Sequence, residues 1–194
     1  MDIVNVERRD PQAKAKHLRR MGIVPCSVYG GALPNAVSIQ MTQKDANLLF
    51  REKRDGSKIR LKLDGKVIPT QIKESTRNSD NHNIEHISFQ ALKAGQTVNS
   101  VAHIYRKNAD TVRGILEQMI DEVPYESLPE YMVDAITIDL DGAEVGTVIT
   151  IADIPELNNE HITLQIPSDS IVLRITDTKT VPDEEDAGEG TEEE

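Results

Sequence analysis

Apolar and polar residues alternate with a period of two through much of the first half of this chain. The clearest case is Lys58–Leu63, where Ile59, Leu61 and Leu63 fall on one face and Lys58, Arg60 and Lys62 on the other. Asp64-Gly65 follows, a two-residue hairpin signal that predicts a return strand over Lys66–Lys73, and Pro69 marks that strand as an edge. Ile3–Arg8 also alternates, and Val24–Tyr29, Ala36–Met41 and Ile84–Leu92 read as further strands, with Gly30-Gly31 ending the first of these three. Helical spacing replaces alternation twice. Over Gln12–Met21, steps of about 100° per residue gather Lys16, Arg19 and Arg20 on one face and set Leu18 and Met21 opposite. Thr42 with Asp45 three residues on resembles a capping box, opening a helix from Gln43 to about Lys53. Five or six short antiparallel strands with two helices predict a small β-barrel.

The second half is also strand-rich. Strands are expected near Val98–Tyr105, Met132–Leu140, Thr147–Ile151, His161–Ile166 and Ser170–Ile175, with turn signals at Pro124, Pro129, Pro155 and Pro167. Ile115–Val123 is helical by propensity but bracketed like a strand by Gly114 and Pro124. The overall expectation is a mostly-β chain with short helices (α+β), an N-terminal antiparallel barrel followed by a sandwich-like unit. Its joint falls at Lys93-Ala94-Gly95-Gln96, giving units of 1–95 and 96–181.

Charge sharpens this division. Residues 1–93 carry 17 basic and 10 acidic side chains, a net of +7, whereas residues 94–194 carry 5 and 23, a net of −18. A basic first unit implies a polyanionic partner that the overall charge of −11 would hide. Residues 182–194 hold eight carboxylates and no base, a composition that predicts a disordered acidic tail. No apolar run reaches the roughly 18 residues of a membrane span, so no membrane partner is expected. The first residues lack the basic-then-apolar pattern of a secretory signal. A lone Cys26 can form neither an internal disulfide nor a cysteine zinc site, and fits a cytoplasmic setting.

The densest basic run is Arg8, Arg9, Lys14, Lys16, Arg19 and Arg20, which is either a solvated helix face or a phosphate-binding surface; the outward Lys58, Arg60 and Lys62 favour the second. Tyr29 before its glycine pair can stack on a base or sugar, or simply form part of a barrel rim. His82 and His86 are four apart, as helical metal ligands would be, but they lie in a turn and a strand with no third ligand nearby. Asp139-Leu140-Asp141-Gly142 has its glycine too early for a calcium loop and reads as a hairpin turn. No phosphate loop, dinucleotide fingerprint, nucleophile elbow or zinc-protease helix is present, so neither an enzyme nor a cofactor is expected.

Two strings carry a family resemblance: Leu18-Arg19-Arg20-Met21-Gly22-Ile23-Val24-Pro25-Cys26-Ser27-Val28-Tyr29-Gly30-Gly31, and Ile84-Glu85-His86-Ile87-Ser88-Phe89. In this order they resemble the bacterial large-subunit ribosomal protein numbered twenty-five, in the long two-domain form that includes the general stress protein Ctc. Val123-Pro124-Tyr125-Glu126-Ser127-Leu128-Pro129 and Ile151-Ala152-Asp153-Ile154 match the cadence of its second domain. The resemblance implies a β-barrel that binds 5S ribosomal RNA on the minor-groove side of loop E. Family contact positions fall on Arg9, Arg20, Tyr29 and His86, and on Ser88, with Lys14, Lys16 and Arg19 as phosphate neighbours. It also implies incorporation into the large subunit, neighbouring ribosomal proteins against the acidic second domain, and a monomer off the ribosome.

This chain departs from the family pattern twice. Ser88 stands where the family's His-x-Asp-Phe motif has Asp, exchanging an ionised acceptor for a hydroxyl. That leaves open a weaker contact, a shifted site or a different RNA target. Pro11-Gln12-Ala13-Lys14 replaces the usual Gly-Lys-Gly before the helix. The competing reading is a stress-induced protein–protein adaptor with vestigial RNA binding.

Overall fold

The computed structural model describes residues 3–177, so the expected acidic tail, 182–194, lies outside the described residues. Within residues 3–91 the strands build one seven-stranded sheet. Its strands are β1 (Ile3–Asn5), β2 (Glu7–Arg8), β3 (Ile23–Tyr29), β4 (Val37–Thr42), β5 (Lys58–Leu63), β6 (Lys66–Arg77) and β7 (Ile84–Ala91). They run in the order β1-β5-β6-β7-β3-β4-β2. The two ends of that order are one segment of chain. Only Val6 separates β1 from β2, and its amide donates to the Lys62 carbonyl at 3.0 Å. The N-terminal segment therefore pairs with β5 on one side and β4 on the other, closing the sheet into a barrel.

The expected barrel thus forms, but two of its ladders, β1·β5 and β3·β7, are parallel. Period-two patterns fix which face is buried and say nothing of strand direction. Ile59, Leu61 and Leu63 join Val24, Ile39, Ile72, Ile87 and Phe89 in its interior. Asp64 and Gly65 make the β5–β6 hairpin, both with positive φ (51° and 77°), the geometry for which Asp-Gly is suited. The edge assignment drawn from Pro69 is corrected. β6 is interior to the barrel, paired with both β5 and β7. Pro69 lies just beyond the β7 ladder, which begins at Thr70, and its carbonyl accepts from the Leu92 amide at 2.8 Å. Proline cannot return the reciprocal bond to Leu92, so the β7 ladder ends at Thr70.

Both helices form. In α2 (Gln43–Glu52), the Thr42 hydroxyl accepts from the Asp45 amide at 3.1 Å, as the capping pattern predicts. α1 spans only Ala15–Arg20. Upstream, Asp10 folds the chain into a turn, its carboxylate taking the Gln12 amide and its carbonyl the Ala13 amide, which replaces the expected first helical turn. Leu18 is buried, but Met21 is 54% exposed, because the helix ends at Arg20 and Gly22 (φ 72°) redirects the chain.

Beyond residue 96 the strands form two smaller sheets. One comprises β8 (Val98–Lys107), β10 (Glu122–Ser127), β11 (Ala135–Asp139) and β13 (Ile162–Leu164), in the order β11-β8-β10-β13. The other orders β12 (Val148–Thr150), β14 (Ile171–Thr176) and β9 (Ile115–Gln118). Ile115–Val123 resolves into two strands in different sheets. Ala102, Ile104, Val123, Tyr125 and Ile136 of the first sheet share a core with Val172 of the second and with Ile151, Ile154 and Leu157 between them. The Asp139–Gly142 hairpin expectation is also corrected. That turn links β11 to β12 across the sheets, with the Asp139 carboxylate accepting from Asp141, Asn108 and Lys107.

The two halves touch through the segment that joins α2 to β5. Asp134 pairs with Lys53 at 2.9 Å and accepts the Lys58 amide at 3.1 Å. Ser100 donates to the Gly56 carbonyl at 3.0 Å. Gly56 (φ 85°) is pressed so close to β8 that an added Cβ would stand 2.5 Å from the Val101 carbonyl oxygen. His103 is 8% exposed and sits between the Asp55 carbonyl, 2.7 Å from Nε2, and the Glu122 carboxylate, 3.3 Å from Nδ1.

Candidate nucleic-acid interface

Alternation along β7 sends Ile87 and Phe89 fully inward, so His86, Ser88 and Gln90 face out. Parallel pairing with β3 sets Ser27 against Ser88, their hydroxyls 3.5 Å apart, and Tyr29 against Gln90. On the far side of β3, Ser27 faces Ser38 of β4; on the far side of β7, Ser88 faces Glu74 and His86 faces Thr76 of β6. The outer surface of these four strands is therefore a field of short hydroxyls with one imidazole, one phenol, the Gln90 amide and the Glu74 carboxylate. Glu74, exposed, lies beyond the strand that alternation predicts.

Basic residues border this field. α1 follows the turn at Asp10 and presents Lys14, Lys16 and Arg20 to solvent. Arg19 is committed otherwise: its Nε donates to the Glu85 carbonyl at 3.0 Å, tying α1 to β7. Arg9 is half-buried, and its guanidinium donates to the Ala13 carbonyl at 2.7 Å, bracing the turn before α1, while its buried Nε has no partner. Burial, together with the cationic Arg19 and Arg9, lowers the pKa of His86, opposed by Glu74. These four side chains therefore belong to one electrostatic neighbourhood, and His86 favours the neutral form.

The alternation of β5 also offers outward bases to this surface. They do point outward, but Lys58 turns to the second half of the chain, its Nζ donating to the Pro129 carbonyl at 2.7 Å. His82 sits in the turn after β6 with φ 56°, apart from the strand that carries His86. Among the described residues, no three His, Cys, Asp or Glu side chains gather as a metal site would require. Cys26 is buried in the barrel core with its thiol pKa pushed up to about 12, which removes it from thiolate chemistry. No described helix is long and apolar enough to cross a membrane.

The first half is thus a closed barrel with a polar outer face and a basic margin. Residues 4–89 match the Ribosomal L25p family, and residues 104–179 match the C-terminal domain of ribosomal protein TL5. The chain is 28% identical over 187 residues to Large ribosomal subunit protein bL25 of Enterococcus faecalis, covering 94% of this chain and 91% of that protein. It is 29% identical over 192 residues to the bL25 protein of Caldicellulosiruptor bescii, covering 95% and 94%. The chain belongs to the Ribosomal L25p family, in the long form with a TL5-type C-terminal domain. These relatives are named as proteins of the large ribosomal subunit.

Proposed function

We propose that this protein joins the large ribosomal subunit in the cytoplasm by binding 5S ribosomal RNA at loop E, through the outer face of β3, β7 and the neighbouring part of β6. The observation that carries this reading is the row Ser38, Ser27, Ser88 and Glu74 across four strands, beside His86 and Tyr29 and bordered by α1. The RNA minor groove is wide, shallow and lined with 2′-hydroxyls, and a barrel face of short donors and acceptors suits it in chemistry. Lys14, Lys16 and Arg20 would meet phosphates and set the register. Tyr29, His86 and Ser88 would meet sugars and base edges. Arg19 contributes by tying α1 to β7 and Arg9 by bracing the turn before α1, as well as by charge.

The chain divides on this reading into an RNA-binding unit over 1–95 and an acidic unit over 96–181. The second supplies an anionic surface suited to neighbouring basic ribosomal proteins. Titrating full-length protein into 5S RNA, with a loop E duplex and an unrelated duplex alongside, tests the proposal. Saturable binding to the first two with strong preference over the third is expected; equal affinity for all three would refute it.

A further inference from the structure

Glu74 is an exposed carboxylate on a face of hydroxyls, the His86 imidazole and the Gln90 amide, bordered by cations. For a surface that only attracted phosphate it would be a defect, because it repels the backbone it has to approach. The fold nevertheless places it there by a specific device. Ile72 of β6 pairs with Phe89 and points into the core, so simple alternation would turn Lys73 out and Glu74 in. The ladder slips by one residue between Ile72 and Glu74, and this β-bulge sets Glu74 directly opposite Ser88 on the outer face. Thr76 then lies opposite His86 on the same side. Lys73, the residue left over, donates to the Asn99 carbonyl of β8 at 3.1 Å.

An ionised carboxylate only accepts hydrogen bonds. On the minor-groove edge of a nucleic-acid helix, adenine and pyrimidine groups are acceptors, and the base donor is the 2-amino group of guanine. We propose that Glu74 is a specificity-determining residue that accepts from a guanine 2-amino group, so that the barrel face selects RNA helices presenting guanine there. The inference rests on the RNA-binding reading above and adds what that reading leaves open, the base being read. Phosphate repulsion then works for selectivity, since a helix that docks without a guanine under Glu74 meets an unpaired carboxylate.

The test is a cycle of one substitution in the protein and one atom group in the RNA. Full-length wild type and Glu74→Gln are titrated with loop E RNA containing guanosine, or inosine at one guanosine at a time; inosine lacks the 2-amino group. Glu74→Gln keeps an acceptor but removes its charge and adds an amide donor that faces the 2-amino group, so it should lower affinity for the guanosine RNA roughly tenfold, as when a charge-assisted hydrogen bond becomes a neutral one. At one position, inosine should weaken wild type similarly and leave the two proteins nearly equal. Unchanged thermal melting would show that the variant is folded. Tighter binding by Glu74→Gln to every RNA would make Glu74 a mere repulsive charge and overturn the inference. A loss that no inosine position abolishes would overturn it equally. If wild type binds no RNA of this series, the RNA-binding reading falls first, and this inference with it.

Discussion

At the scale of single residues, His86 and Phe89 separate binding from stability. They share β7 but face opposite ways, His86 outward and Phe89 fully buried. His86→Ala should cost about 1–3 kcal/mol of RNA binding, as for removal of a polar group from an interface, and leave the melting temperature nearly unchanged. Phe89→Ala should cost about 3–5 kcal/mol of folding stability through a core cavity, read by denaturant unfolding. Histidine also gives a pH signature. Its folded pKa is lowered from the ordinary 6.5. Its contribution to stability is therefore fully present above the unfolded value and lost as pH falls through the folded one. RNA phosphates shift the equilibrium the other way, favouring the imidazolium. Binding should therefore take up a proton and tighten, relative to His86→Ala, as pH falls from about 7.5 toward 6. Calorimetry in buffers of different ionisation enthalpy would measure that uptake; none, with wild type and variant equally pH-dependent, would remove His86 from the interface.

At the scale of elements, the N-terminal segment should matter out of proportion to its length. Deleting residues 1–8 would leave β4 and β5 each with an unpaired edge and remove Val4 and Val6 from the core. The truncated chain is expected to lose cooperative unfolding or to self-associate, which scanning calorimetry and sedimentation would reveal; a monomer melting like wild type would show the closure to be dispensable. Such elements also explain what the sequence makes legible. β5, its hairpin and α2 are legible because alternation, Asp-Gly and a threonine cap are local signals that the tertiary structure does not override. The parallel β1·β5 and β3·β7 ladders are not, since they join segments far apart in sequence. His86 and Ser88 can be placed on one outward face from strand spacing alone. The outward turn of Glu74 depends on a bulge, and the engagement of Lys58 on a partner some 70 residues away. Neither leaves a pattern in the nearby sequence.

At the scale of the whole molecule, the acidic half is held on the β5–β6 side by Asp134, Ser100 and Asn99, and it reaches the β7 face only at its Gln90 end, where the Gln71 amide donates to both the Asn99 carbonyl and the Gln90 side chain. A fragment of residues 1–95 should still fold, since the core under β1–β7 comes from its own strands, and should bind 5S RNA at least as tightly as the full chain, released from long-range repulsion. Its affinity should fall with salt, each neutralised phosphate adding roughly 0.7–0.9 to the log–log slope. A folded fragment with no saturable binding at low salt would refute the division of labour. The barrel closure has a further consequence for synthesis. The first strand to leave the ribosome pairs with β4 and β5, so its place in the wall does not exist until residue 63 has also emerged. β2 can pair once β4 is out, but β1 must wait without its partner while some fifty residues are added, a few seconds at roughly 5–20 residues per second. The oldest part of the nascent chain is thus among the last to be seated, and a codon change that slows translation before residue 63 would lengthen its exposure without altering the finished protein.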